Sequence, residues 1–403
     1  MTEYTVRTVR SIDDIPAADW DALANPGWTM APGGALTKAA DASAAPFNPF
    51  VSHAFLAALE RSGCVSARAG WQPSHLLLGD DTGATVGAVP AYLKAHSMGE
   101  YVFDHSWADA YERAGGRYYP KLQATVPFTP ATGPRLLAAD PAHRAALADA
   151  LKAVVRQIGL SSGHVTFATA AEIETLEARD FLVRFDQQFH FLNRGYDSYD
   201  DFLAELSSRK RKALKRERRD ALANGITVRR LTGADLTEAH WDAFHAFYMD
   251  TGSRKWGRPY LNRAFFSLVS EAMAERILLV IAERDGRPIA GALNFLGSDT
   301  VYGRHWGCVE DHPFLHFEVC YHQAIDHAIA HRLAVVEAGA QGEHKLARGY
   351  LPTVTRSAHF IPDPGFRRAV ARFLAEERAA VLEAGEALTE AGPFRRGGEA
   401  EDD

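Results

Sequence analysis

Five consecutive residues, Gln341-Gly342-Glu343-His344-Lys345, set a carboxamide, a carboxylate, an imidazole and an ammonium side by side, and Arg348 follows three positions later. Either Glu343 or His344 can take a proton from an amine. Lys345 and Arg348 are suited to hold a phosphate or a carboxylate, Gln341 to hydrogen-bond a substrate. Gly339, Gly342 and Gly349 permit the tight turns or close ligand approach that such a loop needs. A second concentration lies between residues 104 and 135. There Asp104, His105, Trp107, Asp109, Tyr118, Tyr119, Lys121 and Arg135 mix flat apolar surfaces with hydrogen-bonding tips, a composition that suits an amide, sugar or peptide ligand. A third is basic: eight of the eleven residues Arg209–Arg219 are Lys or Arg. Arg211 and Lys215 in that run could meet a phosphate-bearing donor. Little aromatic interleaving accompanies it, so base stacking is not indicated.

Other residue types exclude more than they suggest. Eight of the 17 histidines fall between His305 and His359, with His312/His316 and His327/His331 four apart. No His-Glu-x-x-His occurs and no carboxylate stands at ligand spacing, so no metal site is expected. His322, His327 and His331 are expected on the polar flank of a helix, and His316 and Glu318 at its opening turn. The three cysteines are widely spaced and imply neither a disulfide framework nor structural zinc.

The elements that must position these groups follow from periodicity and turn chemistry. Asp80–Gly83 between two apolar runs, and Asp285-Gly286 between two more, signal hairpins. A third strand is expected at Glu100–Phe103 in the first half and at Val301–Trp306 in the second. Trp107–Pro134 is expected to be long, ordered loops with short pieces of structure. Asp140-Pro141 opens a helix to about Ile158, and a strand follows at His164–Ala168. In the second half the basic helix Ser207–Asn224 leads on; later, helix His316–His331 carries a continuous 3.6-residue apolar stripe and precedes a strand at Ala334–Glu337. Hairpin, third strand, helix, strand thus occurs twice. This gives an α/β chain of two tandem domains, each a mixed sheet flanked by helices, at 1–195 and 196–390, with a disordered acidic tail at 391–403.

The bulk properties agree: 403 residues, 47% hydrophobic, 24% charged, formal net charge −7. A net negative chain has no global field for DNA or anionic membrane. The first ten residues alternate like a strand rather than a secretion signal, and no apolar run approaches a membrane span. A cytoplasmic protein is expected, and the sequence leaves its oligomeric state open.

The hairpin–strand–helix–strand order resembles the core of GNAT acetyltransferases. Three segments narrow the likeness: FDHSWADAYERAGGRYYPKLQATVPFTPATGPRLL at 103–137, LHFEVCYHQA at 315–324 and EAGAQGEHKLARGY at 337–350. They are similar to signature segments of the FemAB-like proteins, a bacterial group of predicted N-acyltransferases linked to peptidoglycan, and the likeness extends over about residues 47–380. The resemblance implies acyl transfer to the amine of a small molecule, peptide or cell-wall precursor. Acyl-coenzyme A is the implied co-substrate, with aminoacyl-tRNA, or a non-catalytic peptide- or glycan-recognition role, as alternatives. It further implies that two parallel strands splay between Val301–Trp306 and Ala334–Glu337, which brings Arg304, His305 and Trp306 to the site. Where acetyltransferases carry a glycine-rich pyrophosphate loop, this chain has Cys308–His316, with no glycine and two acids.

Overall fold

The computed structural model describes residues 4–40, 45–255, 259–339 and 342–395. The chain forms two compact units that interleave in sequence. Unit 1 is 1–186 with 260–273 and 354–382, and unit 2 is 187–259 with 274–353 and 383–403. The first crossing, at Asp186/Gln187, falls nine residues before the boundary expected at residue 195. The later segments 260–273 and 354–382 return to unit 1, which no single cut in the sequence describes. Of the expected acidic tail, residues 396–403 lie outside the described residues.

In unit 1 the expected hairpin pairs His75–Gly79 with Thr85–Val89, and Thr5–Val9 adds to its other side. Pro90, which has no N–H to donate, separates Thr85–Val89 from Ala91–Lys94, and the latter pairs with Trp71–Pro73 and Lys121–Ala124 instead. The third strand is therefore Lys121–Ala124 and not Glu100–Phe103, of which Glu100, Tyr101 and Val102 are bends. Gly99 and Tyr101 both take positive φ there, turning Glu100 inward. One of the short pieces of structure expected in the loop-rich stretch is a helix, His105–Arg113. Lys121–Ala124 runs parallel to Gly163–Val165. Between them the helix Pro141–Gln157, capped by Asp140, buries Leu147, Leu151 and Val155 against Leu122, Ala124 and Val165.

Unit 2 repeats the plan. Ile277–Arg284 and Arg287–Leu296 form the Asp285-Gly286 hairpin, with Asp285 and Gly286 both at positive φ, and Thr300–Cys308 extends it antiparallel. Helical residues from Leu315 to Ala330 lead to Val335–Glu337, which lies parallel to Thr300–Tyr302 and antiparallel to His190–Leu192. The helix expected at His316–His331 is not uniform. Its middle, Glu318–His322, is a π-helical turn. One extra residue in that turn accompanies the full burial of Glu318, expected at the helix's opening turn, and of His322, expected on its polar flank, and His327, expected on the same flank, is buried as well. Of the expected apolar stripe, Tyr321, Ala324, Ile325, Ala328 and Ile329 are in the core with Val280, Ala292, Val301 and Val336, while Phe317 and Cys320 are only partly buried and, ahead of the π turn and within it, Leu315 and Val319 face inward instead.

Hairpin, third strand, helix and parallel strand thus recur in both units, the α/β, tandem GNAT-like arrangement. Among the described residues no helix is long and apolar enough to cross a membrane.

Candidate functional site

In unit 2 the parallel pairing of Thr300–Cys308 with Val335–Glu337 ends at Tyr302/Glu337, while the first strand continues for six more residues. The register with Arg287–Leu296 skips a residue at the same place: Asn294 faces Gly303 and Leu293 faces His305, so Arg304 is the bulged residue. Bulges twist a strand away from its neighbour. A Cβ on Gly303 would come within 3.2 Å of the Glu337 carbonyl, so glycine permits the close approach just before the strands part. The expected splay is present, with half-buried Arg304, His305 and Trp306 along its longer edge. Burial, with Arg304 adding to it, lowers the His305 pKa, and Tyr248 stands edge-on to its ring.

The loop after Val335–Glu337 folds back as a 3-10 turn, Glu343–Arg348. Gly342, at φ +108, is required there, because a Cβ would run into the His344 ring. His344 is exposed, and its Nε2 lies 2.9 Å from the Tyr321 hydroxyl. Trp306, His316, Phe317 and Tyr321 pack as neighbouring rings, with His316, Phe317 and Tyr321 each within 6.1 Å of His344. Lys345 is 3% exposed and donates to the Gly339 carbonyl at 2.9 Å. Burial pushes its ammonium down to about 8, against a smaller upward pull from Cys320. The same ammonium helps burial to depress His190 to about 4. Gln341 and the Glu343 side chain lie outside the described residues.

Two of the expected phosphate-binding cations are committed elsewhere. Arg348 makes a bidentate pair with Glu217, at 2.8 and 2.6 Å, and lies over the Phe317 ring at 3.4 Å. Glu217 also accepts from His322 at 2.8 Å, and His322 meets the Tyr199 hydroxyl at 2.7 Å. This buried chain holds Arg348, the last residue of the turn that carries His344 and Lys345. On the basic helix Ser208–Ala221, Lys215 pairs with Asp200 at 2.9 Å, and Arg218 pairs with Glu318 and Asp326. Arg211 is half-buried. The run that looks uniformly basic in sequence thus places Glu217 inward and much of its charge in ion pairs.

Unit 1 gathers most of the 104–135 residues into a closed polar cluster. Lys94 and Lys121, each with no exposed surface, share Glu100 at 3.3 and 2.8 Å. Lys121 also donates to Asp104 at 2.6 Å and to Ser97 at 2.7 Å, and Ser97 bonds the Tyr119 hydroxyl at 2.8 Å. Tyr118 donates to Asp104 at 2.6 Å. Burial would raise the Asp104 carboxyl, but Lys121 and His164 outweigh it and hold the group well below the usual carboxylate range. Lys121 is likewise held charged, burial being overcome by Glu100 and Asp104. Lys94 lies 3.4 Å over the Trp71 ring, and burial takes it down to about 7 against the pull of Glu100. Below them His164 and His359 join Nδ1 to Nδ1 at 2.7 Å, with Trp107 edge-on to His359.

The remaining expected residues stand apart. His105 and Asp109 are exposed on the helix His105–Arg113. Arg135 is 1% exposed and donates to the Ala131, Pro134 and Thr166 carbonyls, a loop-bracing arrangement. Among the described residues no group of three or more His, Cys, Asp or Glu is placed to hold a metal ion. Lys94, Glu100, His164, His359, Glu217 and Tyr321 escaped the sequence reading. The single legible signal was a charge interrupting an apolar run, as Lys94 does after Val86–Leu93.

The repeated plan and the open strand pair define the class, a tandem α/β protein of GNAT-like topology. The chain belongs to the FemAB_like family, described as peptidoglycan biosynthesis/recognition, whose model matches residues 11–396. Among solved structures it is similar to FemX, at 13% identity and TM-score 0.49, covering 77% of this chain and 93% of that one. It is also similar to L-PGS from Bacillus licheniformis, at 9% identity and TM-score 0.46, covering 82% and 98%. A tandem GNAT protein from the clavulanic acid biosynthesis pathway matches at 11% identity and TM-score 0.42, covering 90% and 99%. No curated protein sequence matches the chain.

Proposed function

We propose that the protein is an N-acyltransferase that moves an acyl group from an activated carboxyl donor, acyl-coenzyme A in the first instance, to a primary amine, and that the splay of unit 2 is its reaction centre. The observation that carries this reading is the convergence, at the open end of a parallel strand pair, of Lys345, which among the described residues donates to the Gly339 carbonyl, with the Tyr321–His344 pair. The amine nitrogen attacks the acyl carbonyl and loses its proton to the His344 imidazole. Backbone N–H groups where the strands part receive the oxyanion. As the bond to the donor's sulfur or oxygen breaks, the Lys345 ammonium, poised near neutrality, delivers the proton to the leaving atom. Arg304, His305 and Trp306 line the acyl side. The family description, peptidoglycan biosynthesis/recognition, supports an acceptor among peptides or precursors of peptidoglycan.

The loop Cys308–His316 bears on the donor. Its Glu310 is occupied by Arg284 and His312, each at 2.8 Å, and it has no glycine, so it is not the element that would hold a pyrophosphate. Aminoacyl-tRNA is therefore the alternative donor to include. The test is transfer of a labelled acyl group from acetyl-coenzyme A, or from aminoacyl-tRNA, to a panel of amines. His344→Gln and Lys345→Met should each lower kcat/KM about 100-fold or more. Undiminished transfer by both variants would remove this splay from the mechanism.

A further inference from the structure

Five of the buried side-chain polar atoms that lack a hydrogen-bond partner belong to the polar cluster of unit 1: both Glu100 oxygens, Asp104 Oδ1, Trp107 Nε1 and His359 Nε2. Glu100 is accounted for by the two ammoniums that flank it. The other three are not, and each sits on a side chain at least nine-tenths buried: Asp104 is 1% exposed, Trp107 5% and His359 1%. Each such atom costs on the order of 1–3 kcal/mol if left unmatched. Native interiors carry few of them, and a group of three asks for a ligand.

The three converge. Asp104 and Trp107 are three residues apart at the start of the helix His105–Arg113, a spacing that puts them on one face. The Trp107 and His359 rings meet edge to face with centroids 4.9 Å apart. His359 turns Nδ1 toward His164, at 2.7 Å, and so turns Nε2 the other way.

We propose that unit 1 holds a binding site for an uncharged amide, an N-acetyl group or a peptide bond, formed by Asp104 Oδ1, Trp107 Nε1 and His359 Nε2. The donor and acceptor pattern selects that chemistry. Asp104 is ionised and can only accept, Trp107 can only donate, and neutral His359 can do either. The ligand must therefore present an N–H beside a carbonyl oxygen, as an amide does. Charge balance excludes ionic ligands. Lys94 and Lys121 are matched by Glu100 and Asp104, and Arg184, which lies over the Trp107 ring, is matched by Glu377 at 2.6 Å. A phosphate or free carboxylate would bring an uncompensated charge into this interior. The surroundings suit a sugar ring or a peptide side chain. Phe373, 43% exposed, stands edge-on to Trp107 on the solvent side, and Phe103, 58% exposed, stacks on His105 next to Asp104. The site stands independently of the transfer reaction proposed for unit 2.

The test follows the Trp107 indole directly. The full chain is labelled with 15N-tryptophan, the Trp107 Nε1–H resonance is assigned by its loss in Trp107→Phe, and the protein is titrated with N-acetylglucosamine, N-acetylalanine amide and acetate. A saturable shift of the Trp107 resonance with at least one amide and none with acetate is the expected result. Response to the sugar alone identifies a glycan source, and response to the blocked amino acid alone a peptide source. Trp107→Phe, which keeps the ring and loses the N–H, should bind the responding amide about tenfold more weakly by calorimetry. His359→Ala should weaken it too, with the wild-type circular dichroism retained. An unmoved indole resonance at saturating amide, as expected if ordered water alone fills the space, would overturn the proposal. So would equal affinity in the wild type and Trp107→Phe.

Discussion

Each unit of this protein buries a lysine beside its parallel strand pair, and the two lysines are opposite in kind. In unit 1 Lys121, at the first residue of Lys121–Ala124, meets Glu100 and Asp104 within 2.8 Å and is held charged. In unit 2 Lys345, in the loop beyond Val335–Glu337, meets the Gly339 carbonyl and is pushed down to about 8. Burial acts on both in the same direction, and the carboxylates decide the outcome. Lys121 is thereby a fixed cation that organises a closed core. Lys345 is a proton-exchanging group at an open strand end, which is what catalysis requires of a lysine.

The comparison breaks most readily through paired truncations. Lys121→Met strands two buried carboxylates and should cost about 3–5 kcal/mol in urea denaturation. Lys345→Met removes a buried charge that no carboxylate among the described residues compensates, and should change stability by no more than about 1 kcal/mol, because the lost bond to Gly339 offsets the relieved desolvation. Equal destabilisation by the two substitutions would mean that the environments do not differ as described.

A smaller effect appears in the pH dependence. The folded pKa of Lys345, about 8, lies below its ordinary value of 10.5. Below pH 8 both folded and unfolded chains carry the proton and the burial cost is fully present. Between the two values the unfolded chain binds more protons, so stability rises with pH. Wild type should therefore gain about 2 kcal/mol relative to Lys345→Met between roughly pH 7 and pH 9.5. A constant difference across that window would place the lysine in a normal environment.

The fold was legible wherever one short segment carries the instruction. Asp285-Gly286 demands the hairpin that forms, Asp140-Pro141 starts its helix where expected, and the stripe packs inward from Tyr321 to Ile329. Where the instruction is a long-range partnership, the sequence is mute. The strand Leu351–Phe360 has no clean alternation because its burial changes along its length, and it was not expected. Glu100–Phe103 has strand-like composition, yet Glu100 turns in to meet Lys94 and Lys121. In the candidate sites the loop Gly342–Arg348 announced itself by its density of chemistry. What could not be read was which charges are already paired: Arg348 finds Glu217 at a separation of 131 residues, and His164 finds His359 at 195. The basic run misled for the same reason, since its inward residue Glu217 is the one that anchors the turn.

The central claim, that the lysine at the open strand pair exchanges its proton while the one in the closed core does not, is tested most directly by 13C-lysine NMR. The protein is titrated from neutral to alkaline pH, with Lys345 and Lys121 assigned from their Met variants. The account predicts that the Lys345 side-chain resonance titrates with a midpoint near 8, while that of Lys121 stays in its protonated position past its ordinary value of 10.5. A Lys345 midpoint at or above 10.5 would contradict it.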